Sequence, residues 1–247
     1  MSYQRVLDNF NDNLSSIKKL LKFDEYVIDV PIRKLEQHKE FLKKHKLDTS
    51  FYSVDDTINS LKQIRQNKSL KTYYNVMYNQ CVVLLVSYFS ESIKRIFEVC
   101  INESMGNKNF EYLNKEEIKV SIRDLYEINK KEHISLGELL IRHKDIKFQD
   151  MKSIYRAFNN YTDTKIMRDS IVDDIILGQA ARHIIVHSGG KIDNKFLSQI
   201  SSADKRNLKT CEFNEGDIIE FTPEEIELLS SSMVTYIKRI IEGISDN

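Results

Sequence analysis

The chain has 247 residues, of which 41% are apolar and 30% are charged, a composition typical of a globular protein with a sizeable core. Its 37 Lys and Arg residues balance its 37 Asp and Glu residues. No net field therefore attracts the whole protein to nucleic acid or to a membrane, and a site for a polyanion must be a local patch.

Cysteine usage and hydropathy predict the compartment. The three cysteines, Cys81, Cys100 and Cys211, form no CxxC pair, which argues against a zinc ribbon or a thioredoxin-like site and fits a reducing environment. The sequence opens without an apolar signal core, and its most apolar run, residues 81–86, is too short to span a bilayer. We therefore expect a soluble, cytoplasmic protein that makes no membrane contact.

Helical periodicity extends over most of the chain, and only two prolines and seven glycines interrupt it. The pattern predicts an all-α, up-and-down helical bundle. We expect helices at about 3–22, 32–46, 54–66, 70–102, 116–128, 135–143, 147–160, 165–187, 194–202 and 223–243. A change near residue 70 predicts an N-terminal helical extension, residues 1–69, followed by a helical domain, residues 70–247.

Two predicted elements carry stronger local signals. Segment 70–102 is the longest helix and is expected at the centre of the bundle. The last helix begins with a cap: Thr222 is a good N-cap, Pro223 suits the first helical position, and two glutamates follow in the first turn. Just before this cap, alternating residues flank a glycine and predict a small β-hairpin at about 211–213 and 217–221.

The stretch "ARHIIVHSGG", residues 181–190, combines cations with an apolar helix end. The helix that leads into it is apolar nearly all round, which is typical of a helix buried on several sides. Arg182 and His187 are five residues apart, so their directions differ by roughly 140° and one helix cannot easily aim both at one atom. Two copies related by a twofold axis could do so. We therefore expect a homodimer whose interface includes the helix at 168–188.

Composition and spacing leave other readings of this stretch open. Arg182 and His187 could simply be cations at the negative end of a helix dipole, with Gly189 as the C-cap. His183 and His187 also have the i, i+4 spacing of helical zinc ligands. For a metal site, however, no acidic third ligand follows at a recognisable offset, and an HExxH motif is absent.

Residues 182–187, "RHIIVH", resemble the R-x4-H motif of HEPN-superfamily ribonucleases, with His183 at a position that is often polar in that family. The following "HSGGKIDNKFL" and "EGDIIEFTPEEIELL" are similar to the region after the motif in the RiboL-PSP-like HEPN branch. The upstream "CVVLLVSYFSESIKRIF" looks like the central helix of that branch, where Ser90 or Glu91 would take the acidic position. HEPN toxins neutralised by nucleotidyltransferase antitoxins tend to carry a tyrosine where this chain has Gly189. The resemblance covers about residues 70–243.

The resemblance implies a metal-independent, cofactor-free endoribonuclease that uses the RNA 2′-hydroxyl as its nucleophile. His187 would act as general base or acid, and His183 would be a second group for proton transfer. Arg182 would clamp the phosphate, with Glu91 in support. The family also implies a bacterial toxin or antiphage defence effector that works as a homodimer, with a cognate antitoxin or a defence-system partner.

Lys205, Arg206 and Lys209 cluster in a predicted loop after the motif. They could bind RNA or form a solvated charged loop. The rival function is a non-catalytic HEPN-like helical module for dimerisation or ligand binding.

Overall fold

The computed structural model describes residues 2–23, 25–45, 54–66, 70–106, 111–122, 135–164, 170–201 and 213–245. These residues form an all-helical, bundle-like fold, as predicted. The helices are α1 (Tyr3–Leu21), α2 (Val30–Lys44), α3 (Val54–Gln66), α4 (Lys71–Gly106), α5 (Leu136–His143), α6 (Met151–Tyr161), α7 (Ser170–Ser188), α8 (Asn194–Ile200) and α9 (Pro223–Ser245). A π-helical turn, Glu25–Asp29, precedes α2. None of the described helices is long and apolar enough to cross a membrane.

Helix α4 lies at the centre of the bundle, as its length and apolar spacing predict. It packs against α1, α5, α6, α7 and α9. Its buried face contributes Phe89 and Phe97 to a core that also contains Phe10 of α1, Phe158 of α6 and Phe196 of α8. Burying aromatic and aliphatic side chains on one continuous core is the main stabilising term of such a fold.

A second, smaller cluster of buried residues joins the π-helical turn, α2 and α3 through Ile28, Ile32 and Ile58. Helix α1, which belongs to the predicted extension, instead packs into the main core against α4 and α9. The expected boundary falls beside residues 67–69, which lie outside the described part of the chain. The division into residues 1–69 and 70–247 stays a prediction.

One predicted helix is wrong over its described part. Residues 116–121 have no helical structure, and the remainder of the expected 116–128 helix lies almost wholly outside the described residues. Burial alternates along 116–121, with every second residue partly covered, and Ile118 packs against the main core. The segment "EEIKVS" therefore has the period of two that an extended chain on a surface shows, and not the helical period that the sequence was expected to have there.

The turn between α7 and α8 uses two glycines in left-handed conformations. Gly189 has a φ of 61° and Gly190 a φ of 83°. The N–H of Gly190 donates to the carbonyl of Ile184 at 2.9 Å. This bond satisfies a carbonyl in the last turn of α7, as is usual where a helix ends in a left-handed C-cap. The predicted role of Gly189 in ending this helix is confirmed.

The chain after this turn pairs with the segment expected to form a hairpin. Lys191 and Ile218 form an isolated antiparallel bridge, and no strand forms among the described residues. The N–H of Ile192 donates to the carbonyl of Asp217 at 2.8 Å, and that of Ile219 to Gly190 at 2.9 Å. The partner of residues 217–219 is thus the α7–α8 turn, whereas the hairpin prediction placed it at 211–213, of which 211 and 212 lie outside the described residues.

Candidate active site around Arg182

Arg182 lies on the last two turns of α7, whose neighbouring residues Ala181 and Ile184 are buried in the core. This packing holds the helix in place against α4 and α9. Arg182 itself is partly buried, and its Nε is closed to solvent without a hydrogen-bond partner among the described residues. The side chain borders two separate clefts, one on each side.

The first of these, the α4 cleft, has a volume of about 340 Å³ and lies between α4 and the chain around residues 141–149. Arg182 shares it with Ser90 and Glu91, the two residues that could take the acidic position of the predicted motif. Glu91 is exposed, and its Oε1 accepts a hydrogen bond of 2.8 Å from Arg95 Nε. The structure therefore brings Glu91 and Arg182 to one cleft, although they are 91 residues apart in the sequence.

The second, the α6–α8 cleft, is larger, with a volume of about 640 Å³. It is lined by the start of α6, by the inner face of α7, and by Lys195 and Gln199 of α8. Arg182 and His183 both border it. The two neighbouring motif residues therefore share this cleft, whereas Arg182 alone also reaches the α4 cleft.

His183 forms a close contact with Lys195, whose Nζ lies 3.3 Å from His183 Nε2. Because an ammonium group only donates, this contact requires Nε2 to accept and assigns the ring proton to Nδ1. Burial is the main cause that lowers the pKa of His183 below its ordinary value of 6.5, and Lys195, His187 and Arg182 lower it further against an opposing effect of Asp193. At neutral pH His183 is therefore a neutral imidazole, the form that accepts protons.

His187 lies one turn further along α7, and its ring centroid is 4.7 Å from that of His183. The side chain is exposed and lines neither cleft, although the apolar pattern of the helix that leads into the motif predicts burial on several sides. The reason is that the last turn of α7 extends past the core, so that Val186 is also 50% exposed. The predicted divergence of Arg182 and His187 around the helix is observed.

The predicted RNA-binding residues Lys205, Arg206 and Lys209 lie outside the described residues. The structure instead places other cations near the motif, which the sequence reading missed: Lys94 and Lys147 at the α4 cleft, Lys152 and Lys195 at the α6–α8 cleft. These lysines do not stand at a fixed sequence spacing from the motif, so the sequence alone does not predict their position. Lys195, for example, meets His183 because the double-glycine turn folds α8 back onto α7.

Within the described ranges, no group of three or more His, Cys, Asp or Glu side chains is placed to hold a metal ion. His183 and His187 are close to each other, and the described groups that surround His183 are Lys195, Arg182 and Asp193. Two of these three are cations, which disfavour a further positive charge.

Comparison of the chain with protein-family models, with curated proteins and with solved structures found no match. The family resemblance of the motif stays a prediction.

Proposed function

We propose that the protein is a metal-independent endoribonuclease of the HEPN type, a cytoplasmic bacterial toxin or antiphage effector that acts as a homodimer. One observation carries the proposal. Arg182, whose buried Nε has no hydrogen-bond partner in the described part of the chain, lies between two clefts and next to a neutral histidine, with a second histidine one turn away. A guanidinium that can hold the phosphate and imidazoles that can transfer protons are the groups that cleavage of a phosphodiester by its own 2′-hydroxyl needs.

In this reaction the 2′-oxygen attacks phosphorus and loses its proton, while the bond from phosphorus to the 5′-oxygen breaks and that oxygen gains a proton. The products are a 2′,3′-cyclic phosphate and a 5′-hydroxyl. His183 is suited to take the first proton, because it is neutral and its Nε2 is an acceptor. Lys195 would turn from this nitrogen to a phosphate oxygen as substrate binds. His187 would supply the second proton, and Arg182 would stabilise the charge on the phosphorane.

The dimer is part of the proposal because one chain keeps Arg182 and His187 apart. Arg182 borders the clefts, and His187 projects into solvent beyond them. A twofold-related copy could bring its own His187 to the Arg182 of the first chain, since an isologous interface presents each group twice.

Cleavage of RNA by the purified protein in excess EDTA tests the proposal. We expect cutting to persist, DNA to resist, and the products to carry 2′,3′-cyclic phosphate and 5′-hydroxyl ends. An RNA with a single 2′-deoxy nucleotide at the cleaved position should resist cutting at that position. Cleavage that is lost in EDTA and restored by a divalent metal would contradict the mechanism. RNA binding without cleavage under any condition would favour a non-catalytic helical module.

A further inference from the structure

The α6–α8 cleft has the lining of a site for a flat, partly polar ring. Its floor is formed by the aliphatic side chains of Ile176 and Ala180 on α7 and by Met151 at the start of α6. Tyr155, one turn further along α6, adds an aromatic ring to the same wall. An aliphatic floor beside an aromatic ring is how proteins hold a nucleobase by stacking, and the volume of the cleft lies within the range of small-molecule sites.

Gln179 provides a polar group at this floor. It is only 7% exposed, and its Oε1 accepts the backbone N–H of Met151 at 2.9 Å. That bond fixes the orientation of the amide, so Nε2 is the atom left over. Nε2 is buried and has no hydrogen-bond partner among the described residues. An unsatisfied buried donor is unfavourable, and a carbonyl oxygen or ring nitrogen of a bound base would satisfy it.

The rim of the cleft is basic. Lys152 and Lys195 are both exposed there, next to Arg182. Among the described residues that line the cleft, Asp150 is the acidic one, and it caps α6, where its oxygens accept from Ser153 N at 2.8 Å and from Ser153 Oγ at 2.9 Å. Lys152, Lys195 and Arg182 together place positive charge beside the apolar floor, where a phosphate could bind.

The position of His183 indicates which side of the scissile phosphate this cleft would bind. It borders the α6–α8 cleft and not the α4 cleft, whereas Arg182 borders both. If the scissile phosphate binds at Arg182, the nucleotide whose 2′-hydroxyl faces His183 lies on the α6–α8 side. That nucleotide is the one on the 5′ side of the cut.

We infer that the α6–α8 cleft is a base-binding subsite for the ribonucleotide on the 5′ side of the scissile phosphate. Its base stacks on Tyr155 above Ile176 and accepts a hydrogen bond from Gln179, and its 3′-phosphate binds the basic rim formed by Arg182, Lys195 and Lys152. The assignment to an RNA strand rests on the proposed nuclease function. The nucleotide site itself depends only on the lining of the cleft.

Binding of nucleoside 3′-monophosphates to the whole protein tests the site without any cleavage. We expect them to bind about tenfold or more tightly than ribose 5-phosphate, which lacks a base, because stacking on an aromatic ring contributes that much. In the unmodified protein, NMR should show the nucleotide shifting the side-chain amide of Gln179 and the methyl groups of Ile176. Equal affinity for ribose 5-phosphate, or shifts confined to other residues, would overturn the inference.

Substitutions then assign the contacts. Tyr155→Leu should weaken binding of the nucleotide by about tenfold and leave that of ribose 5-phosphate unchanged, while Tyr155→Phe keeps the ring and most of the affinity. Lys152→Ala should weaken binding of both ligands. Arg156→Ala removes an exposed cation from the same helix but outside the cleft, and should change neither. Unchanged nucleotide affinity in both Tyr155→Leu and Lys152→Ala would contradict the assignment.

Cleavage assays separate this inference from the nuclease proposal. If the protein binds nucleotides as described but cuts no RNA, the subsite stands and the nuclease function fails. If the protein cuts RNA, Tyr155→Leu should reduce its preference among bases on the 5′ side of the cut. Cutting with an unchanged preference in a folded Tyr155→Leu variant would leave the nuclease function in place and refute the subsite.

Discussion

Arg182 is placed in a way that stability alone does not explain. Its Nε is buried without a described partner, and an unsatisfied buried donor costs on the order of 1–3 kcal/mol. Its neighbour His183 is crowded by a lysine, an arginine and a second histidine, all of which disfavour the protonated ring. Unsatisfied donors and groups with shifted pKa values are common at functional sites, because a bound ligand supplies the hydrogen bond or charge that the protein lacks there.

Replacing either outer member of the motif should abolish cleavage and spare the fold. We expect His187→Ala to slow RNA cleavage by roughly 100- to 10,000-fold, the range for removing a proton-transfer group, and Arg182→Ala by roughly 100- to 1,000-fold, the range for removing a group that stabilises transition-state charge. The free energy of unfolding in urea should change by about 1 kcal/mol or less, because Arg182 Nε makes no described hydrogen bond and His187 is exposed. Arg156→Ala, on the surface of α6, is the matched control. Cleavage at the wild-type rate in either motif variant would remove that residue from the mechanism.

The contact between Lys195 and His183 should be visible in the titration of His183. With its pKa lowered, the folded ring protonates at a lower pH than the unfolded ring, for which the ordinary value is 6.5. Between these two values the unfolded state binds more protons, so the free energy of unfolding falls as the pH falls through this window. Lys195→Ala should raise the pKa of His183 in the folded protein and so narrow the pH range over which stability falls. NMR of the imidazole measures the pKa, and urea unfolding at several pH values measures the stability.

Lys191→Ala provides the control for that titration, since Lys191 is an exposed lysine four residues earlier and is not among the charges that act on His183. It should leave the pKa of His183 where it is. A pKa that is identical in wild type and Lys195→Ala would show that Lys195 does not contribute to lowering it.

The elements around the site are held by close backbone approaches. Gly137, at the start of α5, lies against α4, and a Cβ added there would be 2.7 Å from both the Cα and the carbonyl oxygen of Glu98. The N–H of Gly137 also donates to Asn102 Oδ1 at 3.0 Å. This contact places α5 and its Ile141 beside the α4 cleft. The wall of the cleft therefore depends on a residue without a side chain.

Because Gly137 lies against backbone, its replacement by alanine should lower the free energy of unfolding more than the same replacement at Gly178. Gly137→Ala would push against the backbone of α4 and should destabilise the protein by roughly 1–3 kcal/mol, as overpacking does. A Cβ at Gly178 in α7 would instead meet side-chain atoms, the two methyl carbons of Leu229 at 2.8 and 3.0 Å, and a side chain shifts more easily than a backbone. Gly178→Ala should therefore stay within about 1 kcal/mol of wild type, helped by the better helix propensity of alanine. Urea unfolding measures both, and equal costs would contradict the close approach of α5 to α4.

On the scale of the whole molecule, the surface around the end of α7 is suited to a second copy of the chain. Val186 is 50% exposed, and Ile218, beside the α7–α8 turn, is 57% exposed. Both are apolar and both lie near the exposed His187. Covering them would remove apolar surface from water, and it would bring two motifs together.

The purified protein should therefore sediment as a dimer at micromolar concentration. Val186→Glu, which places a charge on this surface, should shift it towards a monomer and reduce RNA cleavage. Leu228→Glu, on a half-exposed position of α9, should leave the dimer intact. A wild-type monomer that cleaves RNA at full rate would refute the composite site.

Local signals were enough to predict much of this fold. The cap of α9 is as the sequence predicts: Glu225 N donates to Thr222 Oγ1 at 3.2 Å, and Thr222 N donates back to Glu225 Oε2 at 2.9 Å. The end of α7 at Gly189 and the central position of α4 were predicted as well. In each case the residues that determine the structure lie close together in the chain. Examples are a side chain that accepts from a nearby backbone N–H and a glycine in the left-handed conformation.

What the sequence by itself determined, then, is the helical class, most helix positions and the arrangement of Arg182, His183 and His187 around one helix end. Only the tertiary structure decided that Arg182 lies between two clefts, that Lys195 reaches His183, and that Gln179 is buried with a spare donor. It also decided that residues 217–219 pair with the α7–α8 turn. These features depend on which helices become neighbours in the shared core. Contacts in that core join residues that are far apart in the chain, so no spacing within the sequence predicts them.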